Sequence, residues 1–280
     1  MNERNRRSNV RVAAKLSAAV LLACGSGAAA AQQSPALDNV SVWLGGFYAN
    51  TDTRISANDR NNLVRGHINL EDDLGFPDHK LSPRARVDVL LGEHQGFSFD
   101  YYTINREETR YIARAIDYRG VTYGASAKVS GKLNFDFGSA AYHWWFGSGN
   151  GVFGLGVGAA YYGVSTRLSG EATVLGQTAQ ATAKSDDNAW APMLQLGWRY
   201  AINDQFRVYV DASGVKKNGG KLGGHIYNGA VGLEWFPWKN VGVGAEYGYT
   251  KIKIKQRHNA YDDQLDMKVN GPSLFLRLRF

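Results

Sequence analysis

The sequence predicts an all-β chain: an antiparallel up-and-down barrel of about ten strands that crosses a membrane. Three observations predict it. Apolar residues alternate with polar or glycine residues at period two in run after run, which is strand periodicity. Short turns and long polar stretches alternate along the chain. Aromatic residues gather near the short turns, where amphipathic rings prefer a membrane interface.

Composition agrees. The 280 residues include 33 glycines and 6 prolines, with 12 Phe, 7 Trp and 15 Tyr. A single cysteine excludes an internal disulfide framework and a cysteine-based zinc site. The net charge of +7 at first invites an acidic partner such as nucleic acid. Much of it lies in the leader. Arg4, Arg6, Arg7, Arg11 and Lys15 precede the apolar run from Leu16 to Ala23, and small residues follow as far as Ala31. That order predicts a secretory signal peptide over residues 1–31, too short to span a bilayer, which needs about 20 apolar residues. Cleavage after Ala31 removes five bases and one acid, leaving +3. No nucleic-acid partner is then expected. Leu21-Leu22-Ala23-Cys24 offers a competing outcome, acylation at Cys24.

Residues 32–280 are predicted to be the barrel. Ala85, Val87, Val89 and Leu91 alternate with Arg84, Arg86, Asp88 and Leu90. Phe153, Leu155 and Val157 alternate with glycines. Phe206, Val208 and Val210 alternate with Arg207, Tyr209 and Asp211, and Val231, Leu233 and Trp235 with Gly232, Glu234 and Phe236. The last run sets Leu274, Leu276, Leu278 and Phe280 against Ser273, Phe275, Arg277 and Arg279. Tight turns are expected at 93–96, 147–150, 202–205 and 237–240. Long loops are expected at 55–81, 116–124, 169–187, 216–222 and 256–263. Four turns and five loops give ten strands with both ends on the short-turn side; eight or twelve are the alternatives. Trp144, Trp145, Trp198, Trp235 and Trp238, with Phe97, Tyr200, Phe206 and Phe236, form the expected girdle at that side.

A soluble barrel would put its charged face outward. Here the second face is glycine-rich and carries both signs of charge, as a polar lumen does. Parity assigns to that lumen Arg84, Arg86, Arg199, Arg207, Arg277 and Arg279 with Asp88, Asp100, Asp136, Asp211, Glu234 and Glu246. All six bases are arginine, whose planar fork suits carboxylates in a confined space. A barrel of about eight strands already has room only for side chains, so this network is expected to plug the lumen. The segment 125–146 breaks the pattern: Leu133, Phe135 and Phe137 share one parity, while Tyr142, Trp144 and Phe146 share the other. A bulge near Gly138–Ala140 would reconcile them and turn His143 inward.

On the long-loop side Lys216, Lys217, Lys221, Lys251, Lys253, Lys255 and Arg257 face the level of lipopolysaccharide phosphates and are candidate contacts to them. The first loop is acidic, with Asp59, Glu71, Asp72, Asp73 and Asp78, and Asn69 is placed to cap a helical turn. Those acids lack the spacing of a calcium loop, and no metal or cofactor is expected. None of His67, His79, His94, His143, His225 and His258 has a serine two positions away, and neither Asp-x-Asp nor Asp-x-His occurs. The best remaining catalytic set, His225 with Ser213 and Asp211, is split by parity. The chain is therefore not expected to be an enzyme.

Over its mature length the chain resembles the small Gram-negative outer-membrane barrels of the OmpA and OmpW type. The signal peptide, the alternating strands and the ending Leu274-Phe275-Leu276-Arg277-Leu278-Arg279-Phe280 carry the resemblance. Ten strands depart from the usual eight of those proteins. The resemblance implies a monomer in the cell outer membrane, surrounded by outer-membrane lipid and lipopolysaccharide. It also implies delivery by the barrel assembly machinery, which reads a terminal Phe280. No peptidoglycan-binding domain is expected after the last strand. The expected role is structural or an interaction at the cell surface. A gated small-solute channel and a lipid-A-modifying enzyme are the alternatives.

Overall fold

The computed structural model describes residues 34–59, 65–118, 121–174, 177–219, 222–257 and 261–280. The expected leader, its Ala31 cleavage point and Cys24 lie outside them.

Ten long strands close into a barrel. In chain order they are β1 (Val40–Asp59), β3 (His79–Leu91), β4 (Gln95–Tyr111), β7 (Lys128–Phe146), β8 (Gly151–Val174), β9 (Gln177–Ala201), β10 (Phe206–Lys217), β11 (Leu222–Trp238), β12 (Val241–Arg257) and β13 (Tyr261–Arg279). Each pairs antiparallel with its neighbour, and β13 returns to β1 from Ser41↔Arg279 to Asp59↔Tyr261. Closure leaves the barrel seam without a free edge, which a membrane demands because lipid offers no hydrogen bonds. No helix among the described residues is long and apolar enough to cross a membrane; the crossing is made by strands.

The four tight turns fall where the sequence placed them, between β3 and β4, β7 and β8, β9 and β10, and β11 and β12. The opposite end differs from expectation. Residues 169–187 are not a loop: β8 and β9 stay paired from Gly151↔Tyr200 up to Val174↔Gln177. The neighbouring β9–β10 ladder stops much lower, at Met193↔Val215. The next residue, Pro192, has no N–H to offer a partner. Two of the other connections carry secondary structure of their own. A short strand β2 (Arg65–Asn69) pairs with β1 and leads into a single turn α1 (Leu70–Leu74), capped by Asn69. A hairpin of β5 (Ile116–Tyr118) and β6 (Val121–Tyr123) lies against β8.

The barrel has two halves of opposite polarity. Near the tight turns the outward face is apolar: Phe97, Phe99, Leu155, Leu196, Leu233 and Leu276 are all exposed. Further along the same strands the apolar residues turn inward. Ile104, Leu133, Phe135, Val164, Ile252 and Met267 are buried in one core, while Glu107, Lys132, Lys184 and Lys255 stand outside. The side-chain parity never changes. What changes is the medium outside: lipid around the lower half, water around the upper half. In water the ordinary rule of apolar inside and polar outside returns.

This inversion corrects the expected bulge in β7. Its register runs unbroken against both β4 and β8, and Leu133, Phe135, Phe137 and His143 are all buried inside. Two aromatic rings bound the lipid-facing zone. The lower contains Trp144, Phe153, Tyr200, Trp235 and Trp238, and the upper Tyr48, Tyr101, Trp190, Tyr227 and Tyr249, all exposed. Trp190 and Tyr200 lie ten residues apart on β9, about one membrane-spanning strand. Two residues expected in the lower ring point inward instead: Trp145 and Phe236 are buried in the lumen.

Candidate functional site

Seven strands contribute ion-paired residues to the lower lumen. Arg84 on β3 forks onto Asp100 of the adjacent strand, with contacts of 3.1 and 2.7 Å, and reaches Glu246 on β12 at 3.0 Å. Glu246 also accepts from the Tyr209 hydroxyl at 2.8 Å. Arg86 donates to Asp88 and to Asp211, each at 2.9 Å. Arg199 forks onto Asp211 at 2.7 and 3.0 Å. Arg277 pairs with Glu234. Arg84–Glu246, Arg86–Asp211 and Arg277–Glu234 join strands that are not neighbours in the sheet, and the bidentate forks onto Asp100 and Asp211 are both strong and directional.

The key acid of this network is one that parity did not find. Asp38 precedes β1, so it belongs to no alternating run. Its carboxylate, 6% exposed, accepts from Arg207 at 2.8 Å and Arg277 at 2.7 Å, and lies 3.8 Å from Arg279. The segment around it closes the periplasmic mouth: Ser34 donates to Gly149 O at 2.6 Å, and Ala36 packs with Trp145, Val152 and Ala201. Ser41 links the clusters, donating to Asp88 at 3.5 Å and accepting from Arg277 at 3.4 Å. Sequence alone held one hint, a lone acid just ahead of the first strand.

Aromatic faces separate the charges. Arg86 and Arg277 lie over Trp43, at 5.0 and 4.4 Å from the ring centre. Arg199 sits over Tyr209 and Trp145, and Arg279 over Phe236 at 3.8 Å. The inward Trp145 and Phe236 are therefore seats for arginine rather than anchors in lipid. Guanidinium groups stacked on rings keep their fork free for carboxylates. His143 stacks on Trp145 at 5.9 Å.

Of the twelve residues assigned to the lumen, Asp136 does not join. It faces outward beside the exposed Tyr101, whose hydroxyl donates to it at 3.4 Å. Its parity was misjudged with that of Phe135 and Phe137, for the reason given by the polarity inversion. Among the network's side chains lies a chamber of about 90 Å³, lined by Arg84, Arg86, Asp100, Tyr102, His143 and Asp211 among others. The Tyr102 hydroxyl has no hydrogen-bond partner there.

Described residues of the first connection pack into the upper barrel. Arg106, its side chain 0% exposed, pairs with Glu71 at 2.6 Å and donates to Thr53 Oγ1 and Pro77 O. Leu70, Leu74 and Phe76 enter the upper core. Three acids of that connection are engaged by protein groups: Glu71 with Arg106, Asp73 with Arg114 at 2.6 Å, and Asp72 with the Asn69 amide at 2.8 Å. No cluster of three or more potential metal ligands occurs among the described residues.

The candidate lipopolysaccharide contacts divide. Lys216, Lys251, Lys253 and Lys255 stand on the outward parity of β10 and β12, while Lys217 falls on the inward parity of β10. Lys221 lies outside the described residues, and the side chain of Arg257 is not described. His225 is outward, whereas Ser213 and Asp211 share the inward parity of β10, so the structure does not bring that set together. His79 stacks on Tyr48 at 5.2 Å, and His94 lies 3.7 Å from Glu93 in a tight turn. The side chain of His67 is not described, and His258 lies outside the described residues.

A closed ten-strand barrel with a lipid-facing zone between two aromatic rings defines an integral membrane protein of the cell outer membrane. The outer membrane protein beta-barrel domain family matches residues 118–280, more than half of the chain, and the chain belongs to that family. Comparison with curated protein sequences finds no match. Among solved structures the barrel is similar to the outer membrane protease OmpT from Escherichia coli. That match has 10% identity and a TM-score of 0.54, and covers 87% of this chain and 97% of the other. It is also matched to OprG from Pseudomonas aeruginosa, at 9% identity and a TM-score of 0.39, over 89% of this chain and 99% of that one. The translocator domain of the autotransporter NalP from Neisseria meningitidis gives 11%, 0.44 and 98% of each chain. Among these three, the OmpT likeness speaks to the fold, and at that identity to the fold alone.

Proposed function

We propose that this outer-membrane barrel is a plugged scaffold with a structural or interaction role at the cell surface, and neither an open pore nor an enzyme. The observation that carries the reading is the continuous charge network across the lower lumen, held at its periplasmic end by Asp38. The outer mouth has its own closure in Phe76, Arg106 and Glu71. Removing one partner of such a buried pair leaves an uncompensated charge, at a cost of about 3–5 kcal/mol. Thermal motion therefore rarely opens the path. The extended β8–β9 hairpin then offers the partner-facing surface. Delivery of the chain through recognition of Phe280, and a monomeric state, belong to the same reading.

A gated small-solute channel is the second reading. It is favoured by the chamber among the network's side chains, whose charged and polar lining offers room for a small solute. Purified protein in planar bilayers separates the two. The plugged reading expects no stable openings in the native chain; regular single-channel steps would favour the channel.

A further inference from the structure

On the outward face of β10 to β12 a row of cations sits directly above the upper aromatic ring. Lys216 is in register with His225, and His225 with Lys253. One step lower Tyr227 is in register with Lys251; one step higher Gly223 faces Lys255. The same face is apolar below, where Val231, Leu233 and Val243 are exposed. It therefore passes from lipid through tyrosine to lysine within a few residues, and the lysines fall at headgroup level.

Two outward lysines elsewhere on the upper half have acidic partners, Lys132 with Glu107 at 2.9 Å and Lys184 with Asp186 at 3.2 Å, whereas Lys128 and Lys268 form no such pair among the described residues. No such pair forms for Lys216, Lys251, Lys253 or Lys255 among the described residues. The one carboxylate in register with the row is Asp266, opposite Lys253. Between the β10–β11 hairpin and β12 the lysines enclose a cleft of about 450 Å³, with Lys216, Lys217, His225, Lys253 and Lys255 on its walls. Gly219, Gly223 and Gly224 also line it, without side chains to fill the space. Gly224 has φ +148, and a Cβ there would run into the carbonyl of Lys253.

We propose that this cleft is an anion site for phosphate groups, occupied in the membrane by the phosphorylated headgroup of lipopolysaccharide. Lysine ammonium groups on long stems suit a phosphate as converging point charges, and the tyrosines beneath hold the level of the lipid. The site lies on the outer wall, so it stands or falls independently of whether the lumen conducts.

The test is binding to the full barrel in detergent or nanodiscs by native mass spectrometry. Three probes are compared: lipopolysaccharide, the same lipid with its lipid A phosphates removed, and inorganic phosphate. The proteins are the native chain, a Lys216→Gln/Lys253→Gln/Lys255→Gln variant of the cleft wall and a Lys132→Gln/Lys184→Gln control. Heat-modifiable mobility in unboiled gels verifies that each has folded. The proposal expects intact lipopolysaccharide to bind at least about tenfold more tightly than its dephosphorylated form. It also expects that advantage to vanish in the triple variant and to survive in the control. Weak or absent binding of inorganic phosphate supports the lipid as the source. Tight binding of phosphate, lost in the triple variant, supports the anion site but overturns the lipid as its occupant. Equal retention of intact and dephosphorylated lipid, or an undisturbed triple variant, overturns the site.

Discussion

Arg277 donates to Asp38 at 2.7 Å across 239 positions of sequence. The strand that carries Arg277 is the one that closes the barrel against β1, and Asp38 lies just before β1. Closure of the sheet and closure of the lumen are thus the same local event. The segment ahead of the first strand is held in the mouth by the last strand's own arginine.

This makes Asp38 the most sensitive position in the lumen. Asp38→Asn keeps the shape and removes the charge that faces Arg207, Arg277 and Arg279. The expected loss is about 3–5 kcal/mol in the folding equilibrium into liposomes. A change below about 1 kcal/mol would mean that the cluster is wet and weakly coupled.

A second consequence concerns the outer closure. Arg106→Ala leaves Glu71 without its partner and frees the chain around α1 from the upper core. The lipid-facing zone does not depend on that contact. Limited proteolysis of the reconstituted barrel should therefore cut between β1 and β3 in the variant and spare the native protein. Heat-modifiable mobility should stay native in both.

Polarity inversion gives a position-dependent prediction along one strand. Leu196→Arg places a charge on the lipid face between Trp190 and Tyr200 and should cost about 2–4 kcal/mol. Thr182→Arg carries the same charge on the same parity of β9, in water, and should stay within about 0.5 kcal/mol. Equal costs at the two sites would contradict the boundary drawn at the upper aromatic ring.

His225, above that ring, yields a titration. Its imidazole is pushed below the ordinary histidine range, by burial first and then by Lys253 and Lys251, with Asp266 opposing and Lys216 adding to the effect. The folded state therefore holds its proton less readily than the unfolded chain. By linkage its stabilising contribution is present above the unfolded value, near 6.5, and is lost as pH falls below it. A phosphate in the cleft reverses the local field. NMR of labelled histidine should show the His225 midpoint rise when lipopolysaccharide is added. An unmoved midpoint would place the phosphates elsewhere.

Much of the barrel was legible because lipid-facing strands obey one rule at period two, and tight turns have strong local chemistry. Arg84, Arg86, Asp100, Asp211 and Glu246 followed from that parity. Three of the differences, the β7 bulge, Asp136 and residues 169–187, share one physical origin. Parity was read as if the apolar face were always outward, so the upper half of β7 demanded a bulge and Asp136 was sent to the lumen. In the water-facing half the same alternation carries the opposite meaning. Residues 169–187 looked like a loop for the same reason: their polar residues are the outer face of a hairpin in water. Asp38, Trp43 and Arg106 were missed because their roles depend on contacts between distant strands or on a segment outside any repeat.

The central claim is the closed lumen, and conductance tests it most directly. Single-channel recordings of the native barrel and of Asp38→Ala in planar bilayers are the measurement. The native protein should be silent, and flickering, small openings should appear once Asp38 no longer holds the three arginines. Stable, uniform openings in the native chain, unchanged by Asp38→Ala, would contradict it.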